Sequence, residues 1–165
     1  GDSFVVSEKS RISSEGSQIH PAIYYKGHLY SNFNRNRNLR GGESMGLVCL
    51  DLKGKILWQT GGTPGFDRGA VLFADGMLIC VGGEDGYLRL VAPNSKGYKE
   101  LAAAPIFTKT LKRRKNEIWC PLALSNGKLI VRNHRVIKCF NLAKGASSSP
   151  KSSPKKAGTK KRRFK

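Results

Sequence analysis

Three side chains able to grip a ligand stand at matching points of this chain: His20 before Pro21, Arg68 before Gly69, and Trp119-Cys120 before Pro121. An imidazole, a guanidinium and an indole together can stack on a planar molecule and hydrogen-bond an anionic one. The competing reading is structural, with Trp119 packing and His20 and Arg68 satisfying local backbone groups. Nothing else forms a reactive set, so no catalytic residue is assigned. Cys49, Cys80, Cys120 and Cys139 are widely spaced in apolar strand contexts. Without a C-x-x-C pair or Cys/His ligand spacing they make no metal site, and Cys49 and Cys139, at equivalent repeat positions, read as small buried hydrophobes. His20, His28 and His134 are too far apart in sequence to be claimed as a constellation. Asp67, Asp75, Glu84 and Asp85 fall at turns, and a calcium loop needs more convergent oxygens. Gly61-Gly-Thr-Pro-Gly65 lacks the Lys and following helix of a phosphate loop and reads as a connector.

The elements that must position these residues form an internal repeat. Pro21-Ala-Ile-Tyr-Tyr-Lys-Gly27-His-Leu29-Tyr30 recurs as Gly69-Ala-Val-Leu-Phe-Ala-Asp-Gly76-Met-Leu78-Ile79 and as Pro121-Leu-Ala-Leu-Ser-Asn-Gly127-Lys-Leu129-Ile130. The turn glycines Gly27, Gly76 and Gly127 are 49 and 51 residues apart. A fixed period of that size built from short strands predicts a stacked or radial β architecture. Asp75-Gly76 and Asn126-Gly127 are dipeptides suited to tight hairpins, whose central residues need positive φ. Lys26-Gly27 keeps only the glycine. Each copy continues into a second strand pair: Gly46–Leu50 with Lys55–Trp58, then Gly86–Val91 with Tyr98–Leu101, then Val136–Leu142, where the last strand should begin.

Four hairpin-linked antiparallel strands per repeat describe a propeller blade. The expected fold is therefore all-β: a partial β-propeller of about three four-stranded antiparallel blades, at about 17–60, 66–111 and 117–145. Residues 1–12 stand before the first blade as 97–106 stand before the third, and read as the outer strand of a preceding blade. Closed propellers have about four to eight blades. The chain, which begins with Gly, is thus expected to be the C-terminal part of a larger propeller, partnered by the remaining blades or by other proteins. An open stack with an unprotected edge, or closure by self-assembly, are the alternatives. In this geometry His20, Arg68 and Trp119 start the innermost strands, beside the mouth of the central channel.

Charge sets a second theme. The chain has 165 residues and net charge +19, and from Ala146 onward it carries eight Lys or Arg and no acid. Removing those eight leaves +11 on the body. Residues 146–165 hold too little apolar surface to offset ordering entropy and are expected to be a disordered Lys/Arg/Ser/Pro-rich tail. Lys155, Lys156, Lys160, Lys161, Arg162 and Arg163 resemble linker-histone tail clusters, suited to weak, salt-sensitive contact with a polyanion. The simpler reading is a solvated extension. Asn32–Gly42, rich in Asn and Arg, reads as an exposed insertion loop, and Lys112-Arg-Arg-Lys115 as a basic connection. On a shared face the two would form an anion-binding patch.

Gly46-Leu-Val-Cys-Leu-Asp51-Leu-Lys-Gly54-Lys-Ile-Leu-Trp58 resembles the repeat of the pyrroloquinoline-quinone-like β-propellers. That family includes quinoprotein alcohol dehydrogenases and outer-membrane protein assembly lipoproteins. Its motif runs from a small or apolar residue through Asp and Thr-Gly to a Trp that docks between adjacent blades, which implies that role for Trp58. Here the Thr is absent and the segment is one residue shorter. Cys139-Phe-Asn141-Leu-Ala-Lys-Gly145 is a partial second echo, and the resemblance covers about residues 1–145. It implies a periplasmic or cell-envelope location.

Three function classes follow. The first is a non-catalytic binding or assembly-scaffold module with no cofactor in this fragment, and it is the preferred one. The second, implied by the resemblance, is part of an alcohol dehydrogenase in which pyrroloquinoline quinone and calcium occupy the channel and an Asp takes the substrate proton. The chain shows neither an adjacent-cysteine pair nor a carboxylate clearly placed at the channel. The third is polyanion or nucleic-acid binding through the tail. No run of about eighteen apolar residues is present, so no membrane-spanning helix is expected.

Overall fold

The computed structural model describes residues 3–12, 15–35, 44–107 and 117–143. Within them the chain is all-β, with no helix and three antiparallel sheets that follow one another in sequence. The first sheet contains β1 (Glu15–Gly16), β2 (Ile23–Tyr25), β3 (His28–Arg35), β4 (Ser44–Asp51) and β5 (Ile56–Gln59). The second contains β6 (Val71–Ala74), β7 (Met77–Val81), β8 (Tyr87–Val91) and β9 (Glu100–Pro105). The third contains β10 (Ala123–Ser125), β11 (Lys128–Arg132) and β12 (Ile137–Asn141). In each, hairpin neighbours pair in order, and β1 adds to the far end of β3 on the edge β2 occupies.

The repeated hairpin has one geometry in all three copies. Lys26 and Gly27 have φ of 46° and 79°, Asp75 and Gly76 of 49° and 73°, Asn126 and Gly127 of 48° and 69°. Two consecutive left-handed residues make the two-residue turn whose twist matches antiparallel strands. The registers Tyr25↔His28, Ala74↔Met77 and Ser125↔Lys128 close directly around these turns. Lys26 adopts the conformation that Asp and Asn take at the other two turns.

Successive sheets pack face to face. Tyr30, Leu47 and Cys49 of the first sheet share a buried cluster with Phe66, Leu78, Cys80 and Val91. Ile79, Val81 and Leu88, on the other face of the second sheet, share one with Ile106, Phe107, Ile118, Leu129 and Val131. Phe33, Met45, Val48 and Leu50 form a third cluster behind the first sheet, with Ile12 against it. Each fully buried Leu, Val or Phe contributes ~1.5–3 kcal/mol, so these seams outweigh any single polar contact between sheets. Trp58 stands at the first seam. Its indole N–H donates to the Asn94 carbonyl at 2.9 Å, and its ring lies 6.3 Å from Tyr30 and 6.4 Å from Tyr98.

Several expectations change. The first sheet has a fifth strand, β1, because β3 is long enough for two short partners on one edge. The third has three strands among the described residues; residues 144–165, the expected tail included, lie outside them. Residues 3–12 form no strand, since they have no ladder partner beside them. Asn32, Phe33 and Asn34 are buried strand residues and not an exposed loop, because β3 stays paired with β4 along them and β1 joins its other edge at Asn34; residues 36–43 and 108–116 lie outside the description. Cys139 is exposed although Cys49, at the same repeat position, is fully buried. The second sheet covers Cys49, and no described residue covers Cys139.

Replacing Trp58 with Ala removes both its packing and its hydrogen bond, and should cost about 3 kcal/mol of unfolding free energy in a urea titration. Trp58→Phe keeps most of the apolar contact and should lose less than half as much.

Candidate functional site

The strand starts are drawn together by a backbone crossing. The Phe66 carbonyl accepts N–H bonds from both Gly69 and Gly83 at 2.8 Å, and the Gly83 carbonyl accepts from Ile118 at 3.1 Å. Gly69 is required here, because a Cβ would overlap the Val81 carbonyl oxygen and approach Gly83 N to 2.6 Å. Arg68, one residue before this crossing, and Trp119, one residue after Ile118, are thereby brought side by side.

The three candidate residues meet. The Arg68 guanidinium carbon lies 5.0 Å from the centroid of the Trp119 ring, over its face. Arg68 Nε donates to Gln18 Oε1, tying in the turn that carries His20, whose own N–H donates to Ser17 Oγ at 3.1 Å. The His20 imidazole is buried beside the Trp119 backbone. Asp67 Oδ2 lies 3.7 Å from Arg68 Nη1. Asn32 reaches across from β3, its Nδ2 donating to the Gly69 carbonyl at 2.5 Å. Among the described residues, His20 Nε2, Trp119 Nε1 and Asn32 Oδ1 are buried without a hydrogen-bond partner. Each such group costs ~1–3 kcal/mol when unsatisfied. The cluster therefore offers a cation on an aromatic face together with donor and acceptor capacity not used within it.

Asn32 was missed as a member of this cluster because the Asn-Arg run around it resembles loop sequence; only its register opposite Leu47 shows that it faces the second sheet. Arg89 was missed outright. It is buried at the seam between the first and second sheets, with Nη2 2.5 Å from Asp85 Oδ2 and Nε 3.3 Å from Glu100 Oε2. Its guanidinium also lies 5.3 Å from the Phe66 centroid and 5.0 Å from that of Tyr87. Burial pushes the Cys80 thiol, opposite Arg89 on β7, far up from its ordinary value, and that of Cys49 upward too, so neither presents a thiolate.

At the other end of the same strands an open apolar cleft of about 450 Å³ is lined by Met77, Ile79, Leu90, Leu124 and Leu142. No described group of three or more His, Cys, Asp or Glu could hold a metal, and no described helix is long and apolar enough to cross a membrane. Lys112–Lys115 and the basic tail residues Lys155, Lys156, Lys160, Lys161, Arg162 and Arg163 lie outside the described residues.

Burial lowers the His20 pKa from its ordinary value of 6.5, partly opposed by the Trp119 backbone beside it. The unfolded chain therefore binds more protons at His20 than the folded one in the window from 6.5 down to the depressed value. Stability falls as pH drops through that window. Thermal melts from neutral to mildly acidic pH should show this acid-side loss, and His20→Asn should flatten it.

With this geometry in hand, comparison with known proteins adds no family: neither a protein-family model nor a curated protein matches the chain.

Proposed function

We propose that the chain is a non-catalytic β-propeller module that binds or assembles partners in a bacterial envelope, with the Arg68–Trp119–His20 cluster as its ligand-facing end. The observation that carries this reading is that cluster. One repeat, used three times, delivers three different ligand-type side chains to one place through a tight backbone crossing. Three antiparallel sheets packed against their sequence neighbours support this reading, since propellers are built from antiparallel sheets packed in sequence order. The envelope setting is drawn from the repeat resemblance around Trp58, whose position at a sheet seam accords with a docking role.

The quinone-dependent alternative asks more of the site. Calcium takes six to eight oxygen ligands, and among the described residues no cluster of carboxylates provides them. Arg68 already lies over a face of Trp119 that a planar quinone would stack on. The described residues do not fit the pair of cofactor and ion. Titration with pyrroloquinoline quinone and calcium, followed by absorbance and calorimetry, should show no stoichiometric binding and no dye-linked alcohol oxidation. Stoichiometric binding with turnover would overturn the non-catalytic reading.

The net charge of +19 supports polyanion contact as a second reading. Affinity for heparin or duplex DNA should fall steeply with salt, because each neutralised phosphate releases condensed counterions. Deleting residues 146–165 should make that dependence much shallower while leaving the melting temperature of the body unchanged.

A further inference from the structure

The third sheet has a face and an edge that its two predecessors keep covered. Counting from the hairpin glycines, Ile130 corresponds to Ile79, and their cross-strand partners Cys139 and Leu90 correspond in turn. Ile79 is buried where the second sheet meets the third, whereas Ile130 is 45% and Ile137 71% exposed. The uncovered face is thus the repeat equivalent of the faces that receive a following sheet. The outer edge of β12 is likewise open among the described residues, where β4 and β8 carry β5 and β9. Residues 146–165 contain Ala146, Ala157 and Phe164 as their only apolar residues other than Pro and Gly.

The same chain carries a segment that fits this gap. Phe4, Val5 and Val6 are 92%, 82% and 80% exposed, an apolar run that no described sheet takes up. This segment leads to Ile12, which packs behind the first sheet. In the same way β9 leads to Ile106 and Phe107, which pack between the second and third sheets. Since β9 is the outer strand of the sheet that precedes its crossing, residues 3–7 belong by analogy to a sheet that precedes the first one. An exposed edge and an unpaired β-prone strand in one polypeptide are the two halves of a heterologous contact.

We infer that a second copy of this chain completes the third sheet. Residues 3–7 of that copy add antiparallel to the free edge of β12, and its first sheet is carried over the Ile130–Cys139 face. Main-chain hydrogen bonds supply the edge contact, as in strand addition generally. Applied in both directions, two such junctions close a dimer, where a single one-way contact would propagate. Because each copy carries +19, the association strengthens as salt screens the repulsion, opposite to any polyanion contact.

The inference rests on the propeller reading, and sedimentation velocity of the full chain over a concentration series tests it. At about 0.5 M salt the screening length is well under 10 Å, and a dimer of twice the chain mass is expected. Val5→Pro removes a donor strand N–H, and Ile130→Asp puts a charge on the receiving face. Both positions are exposed in the single chain, so the melting temperature should hold at concentrations where the wild type is monomeric. Each variant alone should weaken dimerisation at least about tenfold, or 1.4 kcal/mol. An equimolar mixture should recover a one-junction dimer, because one copy retains the donor and the other the acceptor.

A wild-type monomer at every concentration would overturn the inference and leave the face to a sheet of another polypeptide. A Val5→Pro protein that dimerises like wild type would overturn it in favour of face-to-face pairing, and a mixture that stays monomeric would also overturn it. Trp58→Ala separates the two levels. If it destabilises a strictly monomeric protein, the stacked-sheet reading stands and only the closure fails; if it costs nothing, the reading beneath fails.

Discussion

The Phe66 carbonyl, shared by the N–H groups of Gly69 and Gly83, is the constraint on which the arrangement at the strand starts depends. It folds the lead-in of the second sheet back onto the loop after β7, and the Gly83 carbonyl then captures Ile118 ahead of the third sheet. Two sheets are thereby fixed at one end by three main-chain bonds, with no room for a side chain at Gly69. The ring of Phe66 faces the other way, into the seam with the first sheet, edge-on to Tyr98 with centroids 6.0 Å apart. One residue thus joins the polar crossing to the apolar seam. The stacking of Arg68 on Trp119 follows from this crossing, because neither residue chooses its neighbour by sequence proximity.

Arg89 shows how the seam tolerates a charge. Its guanidinium is flanked by Phe66 and Tyr87 and held by Asp85 in a two-point contact, while its Nε, buried without a hydrogen bond, lies 3.3 Å from Glu100 Oε2. Asp85 also accepts the backbone N–H of Tyr87 at 3.0 Å, and Glu100 accepts from the Tyr98 hydroxyl at 2.7 Å. Apolar replacement of such a group is often neutral for stability. Here, however, the acids that hold Arg89 also shape the loop before β8 and the start of β9, so charge and backbone geometry are coupled.

The hairpins were legible because a left-handed turn has strong local sequence demands, which Asp75-Gly76 and Asn126-Gly127 meet openly. The period then told which side chains share a face. It could not tell whether a face is covered. Arg89 alternates with Leu88 and Leu90 as a solvent-facing residue would, yet both faces of its sheet are packed. Cys139 errs in the opposite direction, looking as buried as Cys49 while facing outward. The convergence of His20, Arg68 and Trp119 was suggested by their equivalent repeat positions. The contribution of Asn32 was hidden, since a buried Asn in a long central strand has no local signature.

Sheets that touch only their neighbours in sequence also shape how the molecule moves. In such a stack stability is a sum of unit terms and nearest-neighbour seams, and opening spreads inward from the ends. The second sheet is packed on both faces, with Leu78, Cys80 and Val81 fully buried, while β9 at its margin is exposed throughout. Amide hydrogen exchange should therefore be slowest in β7, whose two edges are both paired, and faster along β9 and β12, each with one edge open among the described residues. The backbone crossing at Gly83 sits at the slow end of that gradient, so the Arg68–Trp119–His20 cluster is anchored in the part of the chain that opens last.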